Sequence, residues 1–391
     1  MNKIINKIKK YEARSMHGQL PVVWKTAINE NIWDLNGNRY IDFTSGICVA
    51  NAGHSNPEII KAIEEQCLLE LIHSYTFYTK ERADFLEFLI KNTPSFIEKA
   101  FLVSSGTEAT ECAVKLMKMY GQDKDRDIII SFGGAMHGRT LGAEFLKAKE
   151  TWIGTWLPKV ITIPFPNKKD DWNKWVDFMK INPDRVCGIM IETYQGWSAR
   201  YYPEKYIKDL CKWAKNNNIL VCFDEIQGGM GRTGKLFNYM HYEVEPDLIC
   251  VGKGFSSSIP LSGVLGRKKI LDIPNEGSMS STHSANPLAC AVGLANFKEI
   301  LRLLPSAKKK GDLLHKQLKK NLPEYEINGR GLLAGIIMNK EKATKVCYKA
   351  MEEGLLLIHT NTDSVKIAPP LCITTENLLK GIDILCKIIK N

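Results

Sequence analysis

Four polar groups in this 391-residue chain stand directly after short apolar runs, where a strand would end. Lys253 follows LICVG, Asp224 and Glu225 follow ILVCF, and Glu192 follows CGIMI. Ser104, Ser105, Gly106 and Thr107 follow AFLV. An amine emerging from an apolar strand into a desolvated pocket favours its neutral, nucleophilic form, as a Schiff-base lysine requires. A carboxylate at a neighbouring strand end can stand against a protonated ring nitrogen. Ser105 and Glu108 fit the S-x-x-E capping box of a helix start, Gly106 permits close backbone approach, and Gly121 is placed to close the helix. The unpaired N–H groups and positive end of such a helix suit a phosphate. Each feature alone has an ordinary explanation, because strands often end on polar residues and N-caps are common.

The elements that must position these residues are legible in the hydrophobic pattern. Apolar runs at 100–103, 127–132, 160–165, 186–191, 219–223 and 248–251 alternate with helical spacing at 108–120 and 203–216. Continuous apolar strands alternating with helices indicate a parallel sheet buried on both faces. Ligands of such sheets bind beyond the carboxyl ends of the strands, so the lysine, the carboxylates and the hydroxyl–glycine run converge on one edge. A phosphate cradle, a lysine and an aspartate are the parts that pyridoxal 5′-phosphate needs. The pattern predicts a large cofactor-binding α/β domain over residues 51–275. Beyond residue 286 it changes to helices at 287–304 and 307–321, a glycine turn at 329–335, a strand-like 336–338 and a last helix at 375–389. These form a smaller α+β domain over 276–391, with residues 1–50 packing against it.

Composition narrows the classes. With 44% hydrophobic and 25% charged residues, the chain is ordinary globular protein. No apolar stretch approaches the roughly 20 residues of a membrane helix, and the first residues, MNKIINKIKKYEARS, lack the apolar core of a secretory signal. A cytoplasmic location with no membrane partner is therefore expected. The 11 cysteines are scattered without a CxxC, which argues for reduced, buried thiols and no metal site. The net charge of +10 is dispersed. Its local runs lack interleaved aromatics or a binding module, so no nucleic-acid partner is expected.

The motifs resemble the class III aminotransferases of fold-type I, the family of acetylornithine, ornithine and 4-aminobutyrate aminotransferases. The resemblance runs through IWDLNGNRYIDFTSGI (32–47), GHSNP (53–57), SSGTEATECAVK (104–115), MHGRT (136–140), FDEIQGGMGRTGKLF (223–237), PDLICVGKG (246–254), STHSANPLACA (281–291), GRGLLAG (329–335) and APPL (368–371). It implies an α/β fold with a mostly parallel seven-stranded sheet and a smaller α+β domain. It implies that Lys253 is the Schiff-base lysine, that Asp224 pairs with the pyridinium nitrogen and that Gln227 approaches the phenolic oxygen. Ser105, Gly106 and Thr107 would surround the phosphate, and Met136, His137 and Glu192 would complete the cofactor site. Thr282 matches a threonine that reaches the phosphate of the neighbouring subunit, implying a homodimer with shared active sites. The alternative for Thr282 is a plain surface position.

Two positions depart from the family pattern together. Where ω-amino-acid members carry a glutamate after Gln-Gly, this chain has Trp197. Where they carry an arginine before the Pro-Pro-Leu segment, it has Lys366. A lysine attracts a carboxylate only as a point charge, and an indole offers a flat face and one donor. These changes point to an amino-sugar or amino-alcohol substrate. The ordinary alternative is that Trp197 packs and Lys366 lies on the surface. The expected activity is ping-pong transfer of an amino group between a small-molecule amine and a keto or aldehyde acceptor. Its alternatives are an ornithine or acetylornithine aminotransferase, an epimerase or aminomutase on the same scaffold, and a binding protein without chemistry.

Overall fold

The computed structural model describes residues 2–16, 20–147, 159–166 and 181–391. The chain divides into two compact units, one made of Met1–Pro57, Gly231–Gly234 and Ile300–Asn391, the other of Glu58–Met230 and Lys235–Glu299. The boundary expected at 275/276 therefore lies at 299/300, and a short excursion at 231–234 joins the first unit. The reason lies in the helix Pro287–Asn321, whose beginning belongs with the second unit. There Asn296 Nδ2 donates to the carbonyls of Gly254 and Phe255, both at 2.9 Å. A Cβ at Gly293 would meet Leu261 and Phe85. The helix is continuous through Pro305, where two helices were expected. Interior proline costs about 3 kcal/mol, offset here by burial of Ile300, Leu303, Ala307, Leu314 and Leu318.

In the first unit, strands β1 (Trp24–Ile28), β2 (Asn31–Asp34) and β3 (Arg39–Asp42) form an antiparallel meander, and the short β13 (Leu355–Leu356) adds in parallel to β3. Strands β11 (Ile327–Arg330), β12 (Leu333–Ile337) and β14 (Ser364–Ile367) form a second antiparallel sheet. Between them runs an unusual turn. Ser45, Gly46, Ile47 and Cys48 all take positive φ, from 49° to 62°. Left-handed backbone is costly for a β-branched residue such as Ile47, so the surroundings must hold it. Arg232, fully buried, does so: Nη2 donates to Ser45 Oγ (3.1 Å) and to Asn51 Oδ1, while Nη1 donates to the carbonyls of Leu332 (3.3 Å) and Pro369.

The second unit is built on seven strands, β4 (Lys99–Val103), β5 (Ile128–Phe132), β6 (Lys159–Ile163), β7 (Val186–Glu192), β8 (Leu220–Asp224), β9 (Leu248–Val251) and β10 (Ser262–Gly266), ordered β4-β10-β9-β8-β7-β5-β6. Both pairings of β10 are antiparallel, and the other four are parallel. Every residue of β7, β8, β9 and β10 is buried, as a sheet covered on both faces demands. The helix Gly106–Gln122 lays Ala109, Ala113, Leu116 and Met117 into a core shared with Ile129, Met190, Leu220 and Leu248. Gly188 on β7 lets it sit close, since a Cβ there would strike Met117. All 11 cysteines are free thiols, most of them buried.

Candidate active site

Strand register sets the carboxylates side by side. Glu192 ends β7 directly opposite Asp224, which ends β8, and Asp224 in turn pairs with Cys250 on β9. Both carboxylates are 4% exposed. Asp224 Oδ1 accepts from the Ile226 N–H at 3.1 Å, and Oδ2 lies 2.8 Å from His137 Nδ1. Glu192 Oε2 accepts from the Met136 N–H (2.7 Å) and Oε1 from the Gly196 N–H (3.1 Å). Burial, reinforced by the neighbouring Asp224, pushes its carboxyl up to about 7, and nearby His137 and the two N–H donors oppose that rise.

Lys253 leaves β9 through Gly252 and enters a short 3₁₀ turn, Lys253–Phe255, with φ at +46°. Non-glycine residues held there cluster at functional sites. Lys253 is half-buried rather than enclosed as its apolar strand had suggested. Absent side chains bring its end of the strand against the helix start. A Cβ on Gly252 would fall 3.4 Å from Gly106 Cα and 3.4 Å from Ile226 Cγ2, and one on Gly106 would meet Ile226 Cδ1 at 3.0 Å. The segments after β4, β8 and β9 thus meet around two glycines and Ile226.

The helix start is capped as its sequence specifies. Ser105 Oγ accepts from the Glu108 N–H at 3.3 Å, and Glu108 Oε2 accepts from the N–H groups of Ser104 (3.0 Å) and Ser105 (2.7 Å). Among the described residues, the N–H groups of Gly106 and Thr107 carry no hydrogen bond. Sequence reasoning missed what holds Thr107. Its Oγ1 lies 2.7 Å from Thr140 Oγ1, Thr140 donates to Glu111, and Glu111 Oε1 also accepts from the Gly142 N–H at 3.0 Å. Thr140 sits in the MHGRT motif, while Glu111 lies one helical turn beyond Thr107, and that spacing was the available signal.

These features fit pyridoxal phosphate. Two unbonded N–H groups and a hydroxyl at a helix start suit its phosphate, a buried carboxylate suits its ring nitrogen, and a lysine stands on the adjoining strand end. Gln227 is half-buried and packs over Gly196, where a Cβ would collide with its Oε1. Met136 is half-buried. Thr282 is exposed, and its carbonyl lies 3.1 Å from His73 Nε2.

Trp197 is 41% exposed. Lys366, in contrast, is fully buried on β14 in the first unit, so the surface placement considered for it is wrong. All four residues of that strand are buried, which the alternation of VKI could not reveal. Among the described residues, no group of three or more His, Cys, Asp or Glu is arranged to hold a metal, and no helix is long and apolar enough to cross a membrane.

The parallel sheet, the capped phosphate-type helix start and the strand-end lysine and aspartate define a fold-type I pyridoxal-phosphate-dependent transferase. The model of the class-III aminotransferases matches residues 12–389. The chain is 34% identical to the acetylornithine aminotransferase of Caldanaerobacter subterraneus subsp. tengcongensis, over 94% of this chain and 95% of that one. It is also 34% identical to an alanine/serine racemase of Pyrococcus horikoshii, over 95% and 86%. The solved acetylornithine aminotransferase of Elizabethkingia anophelis superposes with a TM-score of 0.85 at 29% identity, covering 100% of this chain and 98% of that one. This chain belongs to the class III aminotransferases, and pyridoxal phosphate is its cofactor.

Proposed function

We propose that the protein transfers the terminal amino group of an ornithine-type amino acid, free or acylated, to a keto acid. The observation that carries this reading is the likeness along nearly the whole chain to acetylornithine aminotransferases. It supports the ornithine-type reading over the amino-sugar or amino-alcohol substrate that Trp197 and Lys366 had suggested. Lys366 stands at the arginine position but is fully buried on β14, and a lysine there lacks the bidentate fork of an arginine.

The bound cofactor supplies an electron sink for the carbon losing its proton. Lys253 Nζ would hold the cofactor, and its free amine would take and return the substrate's proton as general base and acid. Asp224, oriented by His137 Nδ1 and the Ile226 N–H, would keep the ring nitrogen protonated. Ser105 shapes the helix start at which the N–H groups of Gly106 and Thr107 and the Thr107 hydroxyl bind phosphate. Gln227 would approach the phenolic oxygen. Met136, whose N–H donates to Glu192 Oε2 at 2.7 Å, would cover the ring.

The active assembly is a homodimer in which Thr282 serves the partner's phosphate. Supporting this, Leu68, Ile72, Phe77 and Tyr78 are 83%, 52%, 77% and 97% exposed on the same unit, an apolar run of the kind that marks an interface. His73, within that run, touches Thr282.

Steady-state kinetics with N-acetylornithine, ornithine, 4-aminobutyrate, amino sugars and amino alcohols against 2-oxoglutarate test the substrate reading. An amino sugar or amino alcohol as the best amine overturns it. The racemase relative favours a second reading, isomerisation. Incubation with one amine and no keto acid separates the two, because an isomerase turns over while a transaminase stops after one half-reaction.

A further inference from the structure

Residues 137–142 clasp the start of the helix Gly106–Gln122 at three points. Thr110 Oγ1 donates to the His137 carbonyl at 2.7 Å. Thr107 Oγ1 lies 2.7 Å from Thr140 Oγ1 and accepts from the Thr140 N–H at 3.4 Å. Glu111 Oε1 accepts from the Thr140 hydroxyl and from the Gly142 N–H (3.0 Å). A Cβ at Gly138, where φ is 142°, would collide with Thr107 Oγ1, and one at Gly142 would meet Glu111 Cδ at 3.0 Å. These two glycines let loop and helix close on the hydroxyls.

Counting protons along this chain of groups gives it a direction. A hydroxyl has one proton and two lone pairs, and an ionised carboxylate only accepts. Thr140 therefore gives its proton to Glu111. The contact between the two hydroxyls then takes the proton of Thr107, which points at Thr140. What Thr107 offers a ligand is a lone pair. The fully ionised phosphate of pyridoxal phosphate has acceptors only, so to bind it Thr107 must turn its proton round and break the bond to Thr140.

We infer that Glu111 is a positioning residue which, through Thr140, holds the Thr107 proton away from the phosphate and so weakens the grip on the cofactor. The inference rests on the phosphate placement proposed above. A neutral hydrogen bond lost on binding corresponds to about 2- to 10-fold in affinity. An amide at position 111 would keep an acceptor for the Gly142 N–H and offer Thr140 a donor. Every proton along the chain could then point toward the phosphate.

Fluorescence titration of the full-length, cofactor-free protein with pyridoxal phosphate, and in parallel with pyridoxal, which lacks the phosphate, tests this. Glu111→Gln and Thr140→Val are each expected to bind pyridoxal phosphate about 2- to 10-fold more tightly than wild type, with pyridoxal affinity unchanged. Thr140→Val keeps the charge of Glu111 while cutting the chain, so it separates proton direction from relief of charge repulsion. The double variant is expected to gain no more than the better single one, because both act on one proton. Unchanged or weaker binding in either single variant overturns the inference. Unchanged Thr140→Val leaves charge repulsion alone, and weaker binding leaves mere support of the loop. An equal gain for pyridoxal also overturns it, and in each of these cases the phosphate placement stands. Thr107→Val is expected to weaken pyridoxal phosphate binding, and an unchanged affinity there removes the placement and the inference together.

Discussion

His137 Nδ1 lies 2.8 Å from Asp224 Oδ2, with both side chains almost wholly buried. His137 Nε2 has no hydrogen-bond partner among the described residues. The imidazole thus spends its one strong contact on the carboxylate, while the Ile226 N–H fixes the other oxygen. Removing a hydrogen bond to a charged group costs roughly 1.5–3 kcal/mol, or about 10- to 100-fold in rate if it acts on the reacting state. His137→Gln is expected to lower kcat by that range while the protein still binds cofactor. Asp224→Asn is expected to cost more, about 10²- to 10³-fold. Stopped-flow half-reactions check both, and unchanged rates in His137→Gln would show that Asp224 needs no orienting partner.

Lys253→Ala is expected to abolish turnover and the visible absorption of a lysine-bound pyridoxal cofactor, leaving the circular dichroism of the fold intact. Normal turnover in this variant would remove Lys253 from the mechanism.

Gly106→Ala places a methyl group against Ile226 Cδ1 at 3.0 Å, tight enough that the helix start or Ile226 must shift. Cofactor affinity is expected to fall about tenfold, with little loss of thermal stability in the cofactor-free protein. Fluorescence titration with pyridoxal phosphate measures this. The companion change Ile226→Val is expected to recover part of the loss.

Glu225 offers a pH test away from the cofactor. Burial pushes its carboxyl up to about 7, against the hydrogen bonds it accepts from Thr193 Oγ1 (2.6 Å) and the N–H groups of Asn238 (2.7 Å) and Tyr239 (2.9 Å). A carboxyl raised in the folded state contributes most below its unfolded value near 4.5, and that contribution is lost as pH rises through about 7. The whole effect is on the order of 3 kcal/mol. The stability of Glu225→Gln relative to wild type is therefore expected to improve from pH 5 to about pH 7 and to level off above that, as followed by urea denaturation. A difference independent of pH would mean that Glu225 stays ionised throughout.

Trp197 is 41% exposed, so Trp197→Ala is expected to leave the fold intact at a cost of roughly 1–3 kcal/mol in stability. If its indole meets the substrate, the ratio of kcat/KM between ornithine and 4-aminobutyrate is expected to move at least several-fold. Unchanged ratios would take the residue out of the specificity pocket.

The strand ends were legible because buried parallel strands read as unbroken apolar runs, and ligands bind at the residues just past each run. The Ser105–Glu108 box was legible because it is a local device. Strand β10 was not, since SGVLG carries two glycines and so lacks the bulk that marks a strand. The glycines are required by close approach: a Cβ at Gly263 would come within 2.9 Å of the Phe101 carbonyl. The burial of Lys366, the left-handed Ser45–Cys48 turn and the hub at Arg232 depend on segments far apart in sequence, which local patterns do not encode. The same holds for the boundary at 299/300, because a helix that serves two units shows one unbroken period.

The guanidinium of Arg232 has consequences for how the molecule is made. It gathers Ser45, Asn51, Leu332 and Pro369, and its unit draws on both ends of the chain. A ribosome emitting about 5–20 residues per second releases all of Glu58–Glu299 before it has made most of the strands that complete this unit. The early β1–β3 meander must wait roughly 15–60 seconds for Leu355 and Leu356 to extend its sheet, with its own apolar side chains uncovered meanwhile. Truncation near the C-terminus should accordingly leave the seven-stranded unit formed and the meander a target for proteases and chaperones.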